Sequence, residues 1–350
     1  MVLKEKLAIK NQNQLARIGE YMKVSILGAG GWGVALAVLL YNNGNDVIMW
    51  SKLEDEVKLL NEKREHIIGL PGVMIPEEIT ITSDLNSAVK DRDIIVLATA
   101  SKYTRETAHS LSGLINKGQI IVNVSKGIED NTLMTLSQVI ESEIPQADVA
   151  VLSGPSHAEE VGKGLPTTCV AGAHSVETAK IIQNAFMSKV FRVYTSTDMT
   201  GIELGGALKN VIALAAGMAD GIGYGDNTKA ALITRGMAEI KRLGIAMGGN
   251  NETFSGLSGI GDLIVTCASM HSRNRRAGIL MGRGKSMEEA MKEVNTVVEG
   301  VYSAKAALKL AKKYNVSMPI IEKVNEVLFD NKSVKDAVIE LMLRDKTSEI

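Results

Sequence analysis

Six residues, Gly28-Ala29-Gly30-Gly31-Trp32-Gly33, constrain this chain most, because they join a short β-branched run, 22 to 27, to a helix-period stretch, 32 to 43. A glycine string of this kind also arises by chance in a chain with 33 glycines, so its context carries the weight. Between a strand and a helix, Gly28, Gly30 and Gly33 acquire separate tasks: a tight turn, backbone approach to a pyrophosphate, and close helix-to-sheet packing, with the anion on the helix N-terminus. A plain glycine turn is the competing reading.

The surrounding pattern agrees with a dinucleotide fold. From Met22 to about Ser196, short apolar runs alternate with helix-period segments, as parallel strands joined by crossover helices do. Strands are predicted at 22–27, 46–50, 79–81, 93–99, 119–124, 148–152, 167–171 and 191–194. Beyond about residue 200 the strand signal ends, and stretches such as GALKNVIALAAGMADG and KAALITRGMAEIKRLG read as helices closed by glycine. The fold class expected is an α/β dinucleotide-binding, Rossmann-like domain, 22–200, followed by an all-α domain, 201–350. With no long linker between them, the halves are expected to pack tightly around a shared site.

A length of 350 residues and a net charge of −1 suit two packed domains and supply no global field for nucleic acid or an anionic membrane. Cys169 and Cys267 fit no disulfide framework or metal-ligand spacing and point to a reducing, cytoplasmic setting. The first 21 residues have the scattered charge that a secretory signal lacks; they are a helical tail or sequence upstream of a start at Met22. Apolar runs such as Val34 to Leu40 are shorter than a bilayer needs, so no membrane insertion is expected.

Ligands of open parallel sheets lie beyond the carboxyl ends of the strands. After the second strand an NAD site usually carries an acidic residue, about twenty residues past the first glycine. Here Ser51-Lys52 stand there and Glu54 comes only later, so NADP(H) is favoured, with NAD(H) possible. Lys126 follows the fifth strand, where its side chain can enter the cleft. Gly154 and Ser156 offer donors after the sixth, and His157 reads as a helix N-terminal donor. Lys209 interrupts the apolar helix GGALKNVI, where an ammonium is costly unless it is paired or lines a cavity. Asp262, in the glycine-rich GIGDL, is a helix cap or that lysine's partner, with Thr266 on the same face. Ser272 can cap a first turn holding Arg273, Arg275 and Arg276, which reads as a bound-anion site or as a solvated basic face.

These residues bring the chain close to a known family. From about Met22 to Val327 it resembles the bacterial-type NAD(P)-dependent glycerol-3-phosphate dehydrogenases. The resemblance is carried in order by GAGGWG, LPG (70–72), SKGIE (125–129), SGPSHAEEV (153–161), ELGGALKNVIALAAG, GDNTKAALITRG, TFSGLSGIGDLIVTC, SRN (272–274), VEGV (298–301) and MPI (318–320). It implies a second domain of the 6-phosphogluconate dehydrogenase C-terminal type. It also implies reduction of dihydroxyacetone phosphate to sn-glycerol 3-phosphate for phospholipid synthesis, in an enzyme that is commonly a homodimer. By the same matching Lys209 is the proton-transfer group and Lys126 contacts both cofactor and substrate. Gly154, Ser156, Asp262, Ser272, Arg273 and Asn274 hold substrate. Gly31, Trp32, Ala158, Val297, Glu299 and Arg273 lie on the cofactor. The family's usual arginine or histidine after the second strand is replaced by Ser51-Lys52, and residues 1–21 lie outside its pattern.

Ketone reduction requires a proton donor at oxygen, the role that the resemblance gives Lys209, with Asp262 raising its pKa and burial and Lys126 lowering it. The alternative is a related β-hydroxyacid or 6-phosphogluconate-type dehydrogenase, which shares the domain plan.

Overall fold

The computed structural model describes residues 21–346 and 348. Residues 1–20, most of the amino-terminal extension, lie outside the described part. Eight strands form one sheet: β1 Lys23–Leu27, β2 Asp46–Trp50, β3 Thr80–Thr82, β4 Ile94–Leu97, β5 Ile120–Asn123, β6 Asp148–Ser153, β7 Thr167–Ala173 and β8 Phe191–Ser196. Their order is β3-β2-β1-β4-β5-β6-β7-β8. The chain leaves β1 toward β2 on one side and returns to β4 on the other. Leu27 pairs with both Trp50 and Leu97, so the crevice where the order reverses opens just past Leu27.

Strands β4 and β5 are buried along their whole length, because helices cover both faces. Gly31–Asn42 and Val176–Phe186 pack on one face, while Thr104–Leu111 and Leu136–Glu143 pack on the other. One expectation is corrected here. Strand β7 runs antiparallel to β6, although the connection between them holds a short helix, Ala158–Gly162, as a parallel crossover would.

The second half is built around the helix Met199–Gly221, of which nearly every residue is buried. Asp198 starts it: Oδ1 accepts from Gly201 N at 2.9 Å, and Oδ2 from Asn250 N and Thr253 Oγ1. This helix, missed when only uninterrupted apolar runs are counted, is long and apolar enough to cross a membrane, yet protein surrounds it. Its first turn belongs to the sheet, since Met199 and Ile202 share a buried cluster with Leu97 and Val151. Farther along it crosses the helix Arg273–Gly282 at backbone contact. A Cβ at Gly217 would lie 2.1 Å from Arg275 O, and one at Gly278 2.2 Å from Leu214 O. Only glycine permits that approach, which sets the start of the second helix beside the middle of the first.

Candidate active site

The glycine turn is built as its spacing requires. Gly28 has φ +118°, and a Cβ there would lie 2.7 Å from the Ala98 carbonyl carbon at the end of β4. A Cβ on Gly33 would collide with Gly28 O, and one on Gly31 with Gly69 O. At Gly30 it would meet nothing within 4 Å, so that face of the turn is open. Gly30 also caps the helix Gly31–Asn42 without any side-chain hydrogen bond, and no acidic residue stands in its first turn. An open face, an uncapped helix N-terminus and no competing carboxylate fit a pyrophosphate. Half-buried Trp32 packs on the core beneath this turn.

Across the cleft, the long helix presents Lys209, only 6% exposed. Gly205 and Gly206 precede it because other groups come close: a Cβ at Gly205 would lie 2.5 Å from Ser258 O, and one at Gly206 3.1 Å from Ser153 Oγ. The segment Leu257–Gly261 is a π-turn, kinked at Gly259, that delivers Asp262 to the head of the helix Asp262–Ala268. Asp262, 1% exposed, accepts from both lysines: Lys209 Nζ on Oδ1, and Lys126 Nζ on Oδ2 at 2.6 Å. Lys209 also donates to Thr266 Oγ1 at 2.8 Å. Lys126 also donates to Gly154 O at 2.9 Å, and Ser156 Oγ donates to the same carbonyl at 3.0 Å.

Burial, assisted by the charge of Lys126, pushes the Lys209 ammonium down to about 7 against the pull of Asp262. Burial by itself would raise the Asp262 carboxyl; the two ammonium groups outweigh it and hold the carboxyl below its ordinary value. Burial is thus the largest single influence on both groups, and on the aspartate only the two lysines acting together overcome it. A cavity lined by Asn123, Ser125, Lys126, Ser153, Glu203 and Gly206 adjoins this cluster. In it, Ser153 Oγ is buried with no hydrogen-bond partner among the described residues.

Ser272 caps the helix Arg273–Gly282, its hydroxyl accepting from Arg275 N at 3.2 Å. Arg273 is exposed at the first position of that helix, and among the described residues no carboxylate pairs with it. Asn274 faces inward. Its amide donates to Asn210 Oδ1 at 2.9 Å and its Oδ1 accepts from Gly300 N at 2.8 Å, which leaves one amide hydrogen. Glu299 accepts from Ser101 N and Oγ, tying the loop after β4 to the helical half, with Val297 half-buried two residues before. Burial raises the Glu299 carboxyl, and Ser101 opposes the rise. Ala158 is half-buried at the head of its short helix, beside the sheet core.

Ser51 and Lys52 do not stand free as the sequence suggests. Ser51, 4% exposed, donates its hydroxyl to Glu56 at 2.5 Å, and Lys52 pairs with Glu106. Two other groups escaped the sequence reading. Glu203 interrupts the same apolar helix as Lys209, and the same misfit marks it. His157, read only as a helix N-terminal donor, has a buried Nε2 without a partner among the described residues, and burial followed by the Lys209 charge lowers its pKa.

Residues 23–179 match the family model described as NAD-dependent glycerol-3-phosphate dehydrogenase N-terminus, and 198–339 the one described as its C-terminus. The chain belongs to this family. A glycerol-3-phosphate dehydrogenase (NAD(P)+) of Agathobacter rectalis is 64% identical over 327 residues, 93% of this chain and 97% of that relative. The one from Fusobacterium nucleatum is 60% identical over 331 residues, 94% of this chain and 99% of the relative. The crystal structure of glycerol-3-phosphate dehydrogenase from Coxiella burnetii superposes with a TM-score of 0.90 at 35% identity, covering 93% of this chain and 99% of that one. A D-mandelate dehydrogenase, at 17% identity and TM-score 0.61, shares the fold alone. The glycerol-3-phosphate dehydrogenase family thus accounts for the Rossmann-like half and the helical half together.

Proposed function

We propose that this chain catalyses the reversible, NAD(P)H-dependent reduction of dihydroxyacetone phosphate to sn-glycerol 3-phosphate. One observation carries the reading: Lys126 and Lys209, from opposite halves of the molecule, meet on the single buried carboxylate of Asp262. Two ammonium groups against one buried carboxylate leave excess positive charge, which stabilises a ketone oxygen that becomes negative. When bound, the nicotinamide supplies the hydride. Lys209, with its pKa lowered to about 7, holds a proton that it can release to that oxygen, and in the reverse direction it takes the proton back. Asp262 and Thr266 fix the amine, and Lys126 adds charge beside the oxygen.

Arg273, exposed at a helix start, receives the phosphate, with Ser272 and Asn274 setting that helix end and Gly154 and Ser156 lining the other wall. Gly28, Gly30, Gly31, Trp32 and Gly33 hold the dinucleotide, with Ala158, Val297 and Glu299 also beside it. Residues 22–200 form the nucleotide half and 201–350 the substrate half. The family resemblance supports a cytoplasmic homodimer that feeds phospholipid synthesis.

The test is absorbance loss of NADH and NADPH, separately, when dihydroxyacetone phosphate is added to purified protein. Lys209→Ala lowers kcat at least roughly 10²-fold with cofactor binding retained. Near-normal turnover removes Lys209 from the chemistry, and oxidation of neither cofactor by the unaltered protein rejects the reading.

A further inference from the structure

We propose that Glu56 sets the cofactor preference: its carboxylate reads the ribose 2′-position, accepting from the hydroxyl of NADH and repelling the phosphate of NADPH. The inference rests on the dehydrogenase reading above and reverses the preference expected from Ser51-Lys52.

In dinucleotide folds an acidic side chain at the end of the second strand bonds the 2′-hydroxyl. Here that position is Ser51, and a carboxylate is brought back to it by the following helix. Glu54–Lys63 begins two residues past Lys52, and its third residue, Glu56, takes the Ser51 hydroxyl on Oε2. The other carboxylate oxygen, Oε1, lies 3.7 Å from His66 Nε2. His66 Nδ1 accepts from Gly69 N at 2.9 Å, which puts the ring proton of a neutral imidazole on Nε2, toward Glu56. The Gly69 carbonyl in turn is the group packed against Gly31 of the glycine turn. The carboxylate is therefore anchored on one side to the end of β2 and on the other to the phosphate turn, the two landmarks between which an adenosine ribose lies. The His66 contact first, and then the Ser51 hydrogen bond, hold Glu56 ionised against partial burial.

The cation available to a 2′-phosphate is weaker than the sequence suggests. Lys52 is 70% exposed and already neutralised by Glu106. One lysine thus faces two carboxylates around the 2′-position, a balance that a hydroxyl tolerates and a phosphate dianion does not.

Calorimetric titration of the full-length protein with NADH and NADPH, and with the fragments 5′-AMP and 2′,5′-ADP, reads this directly, without turnover. The unaltered protein binds NADH more tightly than NADPH. Glu56→Gln keeps an oxygen for the Ser51 hydroxyl but removes the charge, and shifts the affinity ratio toward NADPH by roughly tenfold, with the same shift between the fragments. A ratio that does not move, equal weakening of both ligands, or preference of the unaltered protein for NADPH overturns the assignment. Binding of neither dinucleotide by the unaltered protein overturns the dehydrogenase reading, and this inference with it.

Discussion

A lysine in an apolar helix and an aspartate in a glycine-rich turn are each unfavourable alone, and they become tolerable only through one another. Their pairing has a consequence in pH. The free-enzyme profile of kcat/KM reports the pKa of the essential acid. Lys209, lowered to about 7 by burial, must carry its proton to reduce a ketone and must lack it to oxidise the alcohol. Hence kcat/KM for dihydroxyacetone phosphate reduction falls as pH rises through about 7, while kcat/KM for glycerol 3-phosphate oxidation rises over the same interval. Reduction rates independent of pH across about 6 to 9 would contradict this role. At this scale the sequence was informative where a residue disagreed with its surroundings. Lys209, Asp262 and Arg273 stand out in that way, as does Glu203 once the same test is applied to it. Glu56 does not, because a carboxylate in the charged run EDEVK is ordinary, and only folding discloses that it returns to Ser51. The convergence of Lys126 on Asp262, 136 residues away, was likewise invisible to any local pattern.

Among the elements, strands were legible because β-branched runs buried on both faces have no helical counterpart of that length. The reversed direction of β7 was not, since an apolar strand carries the same pattern whichever way it runs. Helix ends were legible where small polar residues stood before them, as at Ser272, but less so where the cap comes from another helix. Glu239 is such a case. Within the helix Asp226–Ala246, its carboxylate accepts from Ile320 N and Ile321 N at the start of Pro319–Phe329. Burial raises it to about 7 from an ordinary 4.5, outweighing those backbone donors and Arg242, with Glu322 adding to the rise. A carboxyl whose pKa is raised by folding contributes stability that is complete below its unfolded value and is lost as pH climbs through its folded value. Glu239→Gln removes that dependence. Whatever constant penalty its amide brings against Ile321 N–H, the variant improves relative to the parent by about 1 to 3 kcal/mol between pH 5 and pH 8, at about 1.4 kcal/mol per pKa unit. Thermal melts at the two pH values check this; a difference between the proteins that is the same at both excludes the linkage.

At the scale of the molecule, the helix that carries Lys209 grows out of the sheet that is to carry the nucleotide, so the catalytic distance depends on how firmly that root is held. Met199 and Ile202 are buried with the strands, and the next residue, Glu203, supplies the polar part of the joint. Its carboxylate accepts from Ser137 N at 2.9 Å, from Ser137 Oγ at 2.5 Å and from Asn123 Nδ2 at 3.3 Å, a residue of β5 and the start of the helix Leu136–Glu143. Burial raises the Glu203 carboxyl while these donors oppose the rise, so a neutral acceptor suits the site nearly as well as a charged one. Glu203→Ala strips Ser137 N of its acceptor and takes one from Ser137 Oγ and Asn123 Nδ2, which keep Thr135 Oγ1 and Ser125 O, and so destabilises the protein by on the order of 2 kcal/mol, whereas Glu203→Gln loses about half as much. The same loosening displaces Lys209 from the cleft. In Glu203→Ala, kcat falls about tenfold for each 1.4 kcal/mol of transition-state alignment lost, while NADH affinity, to which the glycine turn after β1 contributes independently of Glu203, changes far less. Denaturant melts, turnover and NADH titration on the two variants separate these effects. Equal losses in kcat and in NADH affinity would mean that Glu203 supports the sheet as a whole and not the seating of the catalytic helix upon it.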